Sequence, residues 1–117
     1  MLESTASARI VMTTVVSPEE ASRLGRTLVE ERLAACATLL PAAHSIYRWK
    51  EQIESSGECL LLLKTASHLL PALEARLSEL HSYQTPEFLV LAVEAGSHAY
   101  LAWLDASLQE PESGAGY

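Results

Sequence analysis

Hydrophobic positions change period along the chain, and the changes predict its elements. Ala8 to Val16 (ARIVMTTVV) is β-branched and apolar at both parities, predicting a strand covered on both faces. Ser17-Pro18-Glu19-Glu20 then opens a helix, with Ser as N-cap, Pro at the first helical position and Glu three residues after the cap. Ala21, Leu24, Leu28, Val29 and Leu33 form its apolar stripe, running to about Ala34. Cys36 to Leu40 begins a second strand, Pro41 marks a bulge or edge, and His44 to Trp49 resumes it. Lys50 to Gly57 reads as a polar turn before a third strand from Glu58 to Thr65, whose CLLLL run implies burial on both faces. If that turn centres near Ile53, Cys59 faces a position near Tyr47.

Leu69, Leu73, Leu77 and Leu80 set a second helix, with Pro71 in its first turn. His81 to Glu87 is a loop, and Thr85, ahead of a proline, is held extended for entry into a fourth strand from Phe88 to Val93. Ser97 caps a third helix, His98 to Leu108, with Tyr100, Leu101, Leu104 and Leu108 on its buried face. Residues 8–109 form one domain; 1–7 and 110–117 read as loose termini. The order is the split βαβ pattern of an α+β, ferredoxin-like fold, βαββαβ with an extra C-terminal helix and an antiparallel sheet. Its two main helices cover one sheet face. Because the strands are apolar at both parities, the other face needs a cover, and the economical one is another copy of the chain.

Charge narrows the partners. The formal net charge is −7 with 8 Lys plus Arg, and no basic cluster appears, which disfavours nucleic acid and anionic membrane and favours cations. The start, MLESTAS, lacks the pattern of a signal or transit peptide, and no apolar stretch is long enough to span a membrane, so the expected location is cytoplasmic. Cys36 and Cys59 lack paired spacing and are expected to be free thiols. With no Ser/His/Asp order and no glycine-rich phosphate loop, an enzyme is not expected. His81, Tyr83 and Glu87 bring imidazole, phenol and carboxylate into one loop, donors that suit a borderline metal such as copper or zinc. Tyr47 and Trp49 share a strand face and suit the rim of a ligand cleft. Lys64 either snorkels past the sheet edge or joins Glu87 in that cleft.

From Ile10 to Gln109 the chain resembles the CutA family, the divalent-cation tolerance proteins. The resemblance is carried by Thr13-Thr14, Glu31-Arg32-Leu33-Ala34-Ala35-Cys36, Ser45-Ile46-Tyr47-Arg48-Trp49, Leu63-Lys64-Thr65, His81 to Glu87 and Tyr100-Leu101-Ala102-Trp103. It implies a fold similar to the PII signalling proteins, a homotrimer, and a role in tolerance of copper and other divalent cations bound near subunit clefts. Some members carry a cysteine where Thr13 stands, a doubled histidine where Leu80-His81 stands, and a proline where Ser82 stands. The resemblance therefore leaves His81 and Cys36, with Glu87 as an oxygen ligand, as the metal candidates for Cu(II) or Zn(II). Tyr47, Trp49, Lys64, Tyr83 and Glu87 are the candidate lining of an intersubunit cleft. The rival expectation is a PII-like signalling module that takes a small anionic ligand or a partner protein there, using Lys64, Arg48 and the aromatic rings.

Overall fold

The computed structural model describes residues 1–110. Its elements are β1 (Leu2–Ser4), β2 (Ala8–Val15), α1 (Pro18–Glu30), β3 (Cys36–Trp49), β4 (Gln52–Ala66), a 3₁₀ turn (Ser67–Leu69), α2 (Leu70–Leu80), β5 (Leu89–Ala92), β6 (Ala95–Ser97) and α3 (His98–Leu108). Four strands form one antiparallel sheet in the order β3-β4-β2-β5, which is the ferredoxin-like arrangement. β1 pairs with β6 in a separate two-stranded sheet, so Leu2 to Ser4, expected to be loose, are ordered by a ladder to Ala95–Ser97. Nothing in a three-residue apolar-polar segment announces such a distant partner. The expected loose tail falls on residues 111–117, outside the described residues.

Local chemistry starts α1 as the sequence predicts. Ser17 is extended and its Oγ accepts the Glu20 N–H at 3.1 Å, with Pro18 at the first helical position. The helix stops at Glu30 rather than Ala34 because Arg32 takes a positive φ of 60° and Leu33 and Ala34 both donate back to the Leu28 carbonyl. The Arg32 guanidinium then reaches the Ser107 carbonyl at 2.9 Å, tying this corner to the last turn of α3. Arg76 clasps Glu31 with two 2.9 Å hydrogen bonds and joins α2 to the end of α1.

Side-chain parity divides the sheet. Val11, Val15, Cys59, Leu61 and Leu63 point to one face, where Leu24 and Leu28 of α1 and Leu73 and Leu77 of α2 seal them completely. Gly25 lets α1 approach β3 closely: a Cβ there would lie 2.9 Å from the Ala37 Cβ. Thr13 also points inward, and its buried hydroxyl has no hydrogen-bond partner. The opposite face carries Ile10, Met12, Leu60 and Leu62, only partly covered, beside an exposed Leu40. β5 is open on both parities, with Leu89, Val90 and Leu91 about half exposed. In α3, Leu104 and Leu108 pack on Ala35 and Ala66, whereas Tyr100, expected to be buried, is exposed against Trp103.

The largest departure is the hairpin. Trp49 pairs with Gln52, so the turn is Lys50-Glu51 alone and not Lys50 to Gly57. Tyr47 pairs with Glu54, and Cys59 lies beside the irregularity between Leu40 and Ala43 instead of facing Tyr47. Cys36 and Cys59 are both free. Since β2 pairs with β4 only from Cys59 onward, the rest of the hairpin is a two-stranded arm extending about 20 Å from the sheet. Lys50 and Glu51 both hold positive φ, at 50° and 69°, a conformation that a two-residue hairpin demands and that Asn-Gly adopts with less strain. The double variant Lys50→Asn/Glu51→Gly is therefore expected to raise unfolding free energy by roughly 1 kcal/mol in urea denaturation. An unchanged midpoint would show that the turn carries no strain.

Candidate functional site: an acidic groove at the root of the hairpin

Where the arm leaves the sheet, the loop after α2 folds against it. His81 ends α2 with its N–H on the Leu77 carbonyl, and its imidazole is buried. Nδ1 accepts the Tyr83 N–H at 3.0 Å, which leaves the ring proton on Nε2 to be donated to the Thr14 carbonyl at 2.9 Å. The buried Glu20 carboxylate takes the Ser82 N–H at 3.2 Å and the Ser82 hydroxyl at 2.8 Å. Three elements thus hold three consecutive loop residues, because Tyr83 completes the set by donating its hydroxyl to Glu58 Oε2 at 2.7 Å. The His81 and Tyr83 rings lie 4.8 Å apart.

The result is a groove of about 880 Å³. Its lining includes Tyr47, Trp49, Ser56 and Glu58 from the arm, Thr14 from β2, and Ser82, Tyr83, Gln84, Thr85 and Glu87 from the loop. Two carboxylates face it, and no Lys, Arg or His is in its lining. Burial, then the charge of Glu58, raises the Glu87 carboxyl above its usual range. Burial and the Glu58 hydrogen bond likewise raise the Tyr83 phenol far above its ordinary value, so it stays a protonated donor at neutral pH.

The structure brings together four of the five residues expected to line a cleft: Tyr47, Trp49, Tyr83 and Glu87. Lys64 is not with them. It lies six residues along β4 from Glu58, about 20 Å away, where Nζ donates to Thr38 Oγ1 at 3.2 Å and to Cys36 Sγ at 3.7 Å. Nor does Arg48 line the groove, so an anion finds no cation there. The expected metal set is also dispersed. Cys36 sits with Lys64, and both nitrogens of His81 are committed, leaving no lone pair for a metal. Among the described residues no three His, Cys, Asp or Glu side chains converge to hold an ion. A single chain thus offers the groove two carboxylates and a phenol, an oxygen-only set that suits a hydrated hard divalent cation better than copper or zinc.

Glu58 and Glu20 were the residues that sequence reasoning missed. Glu58 opens the predicted third strand beside the polar turn, where a carboxylate is ordinarily solvated, yet it stands at the same parity as Leu60 and Leu62, which places it on the sheet face that borders the groove. Glu20 matched a capping box, but its carboxylate reaches across to Ser82.

Fold and site define a small ferredoxin-like protein with an acidic, aromatic-rimmed groove. A family model described as CutA1 divalent ion tolerance protein matches residues 9–107. The divalent-cation tolerance protein CutA of Thermus thermophilus is 44% identical over 95 residues, 81% of this chain and 92% of that one. The structure of CutA from Synechococcus elongatus superposes with a TM-score of 0.90 at 40% identity, covering 93% of this chain and 96% of that one; the same protein is known in complex with Bis-Tris. A protein of Archaeoglobus fulgidus described as the periplasmic divalent cation tolerance protein CutA gives a TM-score of 0.84 at 30% identity, covering 87% and 99%. The chain belongs to the CutA1 divalent ion tolerance family.

The raised Glu87 carboxyl makes a signed prediction. A carboxyl held above its unfolded value favours the protonated form on folding, so its stabilising contribution is present at low pH and is lost as pH rises through its folded value. Relative to the wild type, Glu87→Gln should therefore gain thermal stability as pH rises from about 4, the ordinary carboxyl range, and the gain should level off once the folded Glu87 carboxyl has ionised. A constant difference in melting temperature across that rise in pH would exclude the strain assigned to Glu87.

Proposed function

We propose that the chain is a non-catalytic homotrimer that binds divalent cations at the groove, with Glu87 and Glu58 as oxygen ligands and Tyr83 positioning Glu58. The observation that carries this reading is the pair of carboxylates facing one groove whose lining has no cationic side chain. A cation there offsets their mutual repulsion and the desolvation of Glu87. Support for the homotrimer is the half-covered apolar face around Ile10, Met12, Leu60 and Leu62, which another copy of the chain would cover. The proposed compartment is the cytoplasm, which suits two free thiols. No helix among the described residues is long and apolar enough to cross a membrane.

Copper or zinc is the finer alternative for the cation. Either one would gain an imidazole only if His81 surrendered the Tyr83 N–H, and a thiolate only from Cys36 of another copy. The PII-like reading, an anion in the cleft, has lost its supporting cations, because Lys64 and Arg48 do not line the groove.

Calorimetric titration of metal-free protein with Mg(II), Mn(II), Zn(II) and Cu(II), on the wild type, Glu87→Gln and His81→Asn, tests this. The expected outcome is saturable binding weakened at least about tenfold by Glu87→Gln. Loss of binding in a folded His81→Asn but not in Glu87→Gln would move the site to the imidazole. A monomer by light scattering at micromolar concentration would overturn the trimer.

A further inference from the structure

The groove has more room than an ion uses. Its 880 Å³ falls in the range of sites for small organic molecules, and one wall is aromatic. Trp49 and Tyr47 stand on the same arm face, exposed by 58% and 43%, where an aromatic side chain of the free chain would ordinarily be covered. Glu58 stands on that same face, because it pairs with Ala43, two same-face pairs beyond Tyr47–Glu54, and Glu87 joins the lining from the loop. Tyr83 occupies one oxygen of Glu58, and Glu87 accepts no hydrogen bond from any described residue. The Tyr47 hydroxyl is held by Ser56 Oγ at 2.9 Å, which fixes the ring's tip and leaves its faces to a ligand.

Two aromatic rings and two carboxylates with no cationic side chain in one groove are complementary to a single chemical class. A bare metal ion gains nothing from the rings' apolar bodies, a neutral aromatic leaves the carboxylates uncompensated, and an anion is repelled. An organic ammonium ion satisfies both kinds of group, through cation–π and apolar contact with the rings and charge-assisted hydrogen bonds to the carboxylates. We infer that the groove is a binding site for a small organic ammonium ion, held by the Trp49 and Tyr47 rings together with the Glu87 and Glu58 carboxylates. The inference rests on the acidic groove but is independent of whether metal occupies it.

Trp49 reports its own occupancy. The chain has two tryptophans, and Trp103 lies on α3 beside a different groove, so Trp103→Phe isolates the signal. In that full-length background, benzylammonium is titrated by tryptophan fluorescence, with benzyl alcohol and benzoate as the neutral and anionic isosteres. Benzylammonium is expected to give a saturable change, and the isosteres to give none in the same range. Adding Glu87→Gln should weaken the binding at least about tenfold, while the thermal melt confirms that the variant is folded. An equal response to benzyl alcohol, no saturation with benzylammonium, or binding unchanged by Glu87→Gln would each overturn the inference. Running the series in chelator and again with Mg(II) separates the two readings. Ammonium binding without metal binding sinks only the metal proposal, and the reverse sinks only this one.

Discussion

The β4 strand is the constraint on which the structure depends. It is hydrogen-bonded along both edges, to β3 and to β2, and it is apolar on both faces through Cys59 to Leu63. Parity then assigns every other layer. Cys59, Leu61 and Leu63 take the helix side with α1 and α2, while Leu60 and Leu62 take a face that a single chain leaves half covered. The continuity of β4 beyond the sheet produces the arm, because its ladder with β3 runs on after β2 has ended. The groove and the half-covered apolar surface are therefore two ends of one strand face.

The loop from His81 to Glu87 converts that geometry into a groove. A seven-residue connection would ordinarily be the least ordered part of such a domain. Here buried polar groups pin its first residues: the imidazole to β2, the Glu20 carboxylate to Ser82, and the Tyr83 hydroxyl to Glu58. Leaving any one of these partners unmatched in a buried setting costs about 1–3 kcal/mol, so the loop has one strongly preferred position. That position faces two carboxylates toward the same space and raises the protonation range of one of them. Ser82 contributes here through both its N–H and its hydroxyl. A proline at that position would lack both donors.

Much of the fold was legible in the sequence because its signals are local. Ser17-Pro18 fixes the start of α1, Ser97 that of α3, and Pro41 foretells an irregularity that the β3–β4 register places between Leu40 and Ala43. The hairpin turn was misread since Lys50-Glu51 carries none of the Asn or Gly that two positive φ values favour, while the polar run up to Gly57 resembles a loop. Polar residues on both parities are natural in an arm with no second layer. The candidate site was half legible. Tyr47, Trp49, Tyr83 and Glu87 were found as chemistry-bearing residues in two separate segments, but nothing local distinguished Lys64, which lies elsewhere, from Glu58, which belongs.

By itself the sequence determined the order of the four main strands and three helices, the ferredoxin-like pattern and the family, because period, capping and turn chemistry act within a few residues. Tertiary structure alone decided three things. It paired Leu2–Ser4 with Ala95–Ser97, committed both nitrogens of His81 to backbone hydrogen bonds, and closed Glu58 and Glu87 around one groove. Each depends on groups dozens of residues apart whose hydrogen bonds and charges acquire meaning only when the chain has brought them together and excluded water.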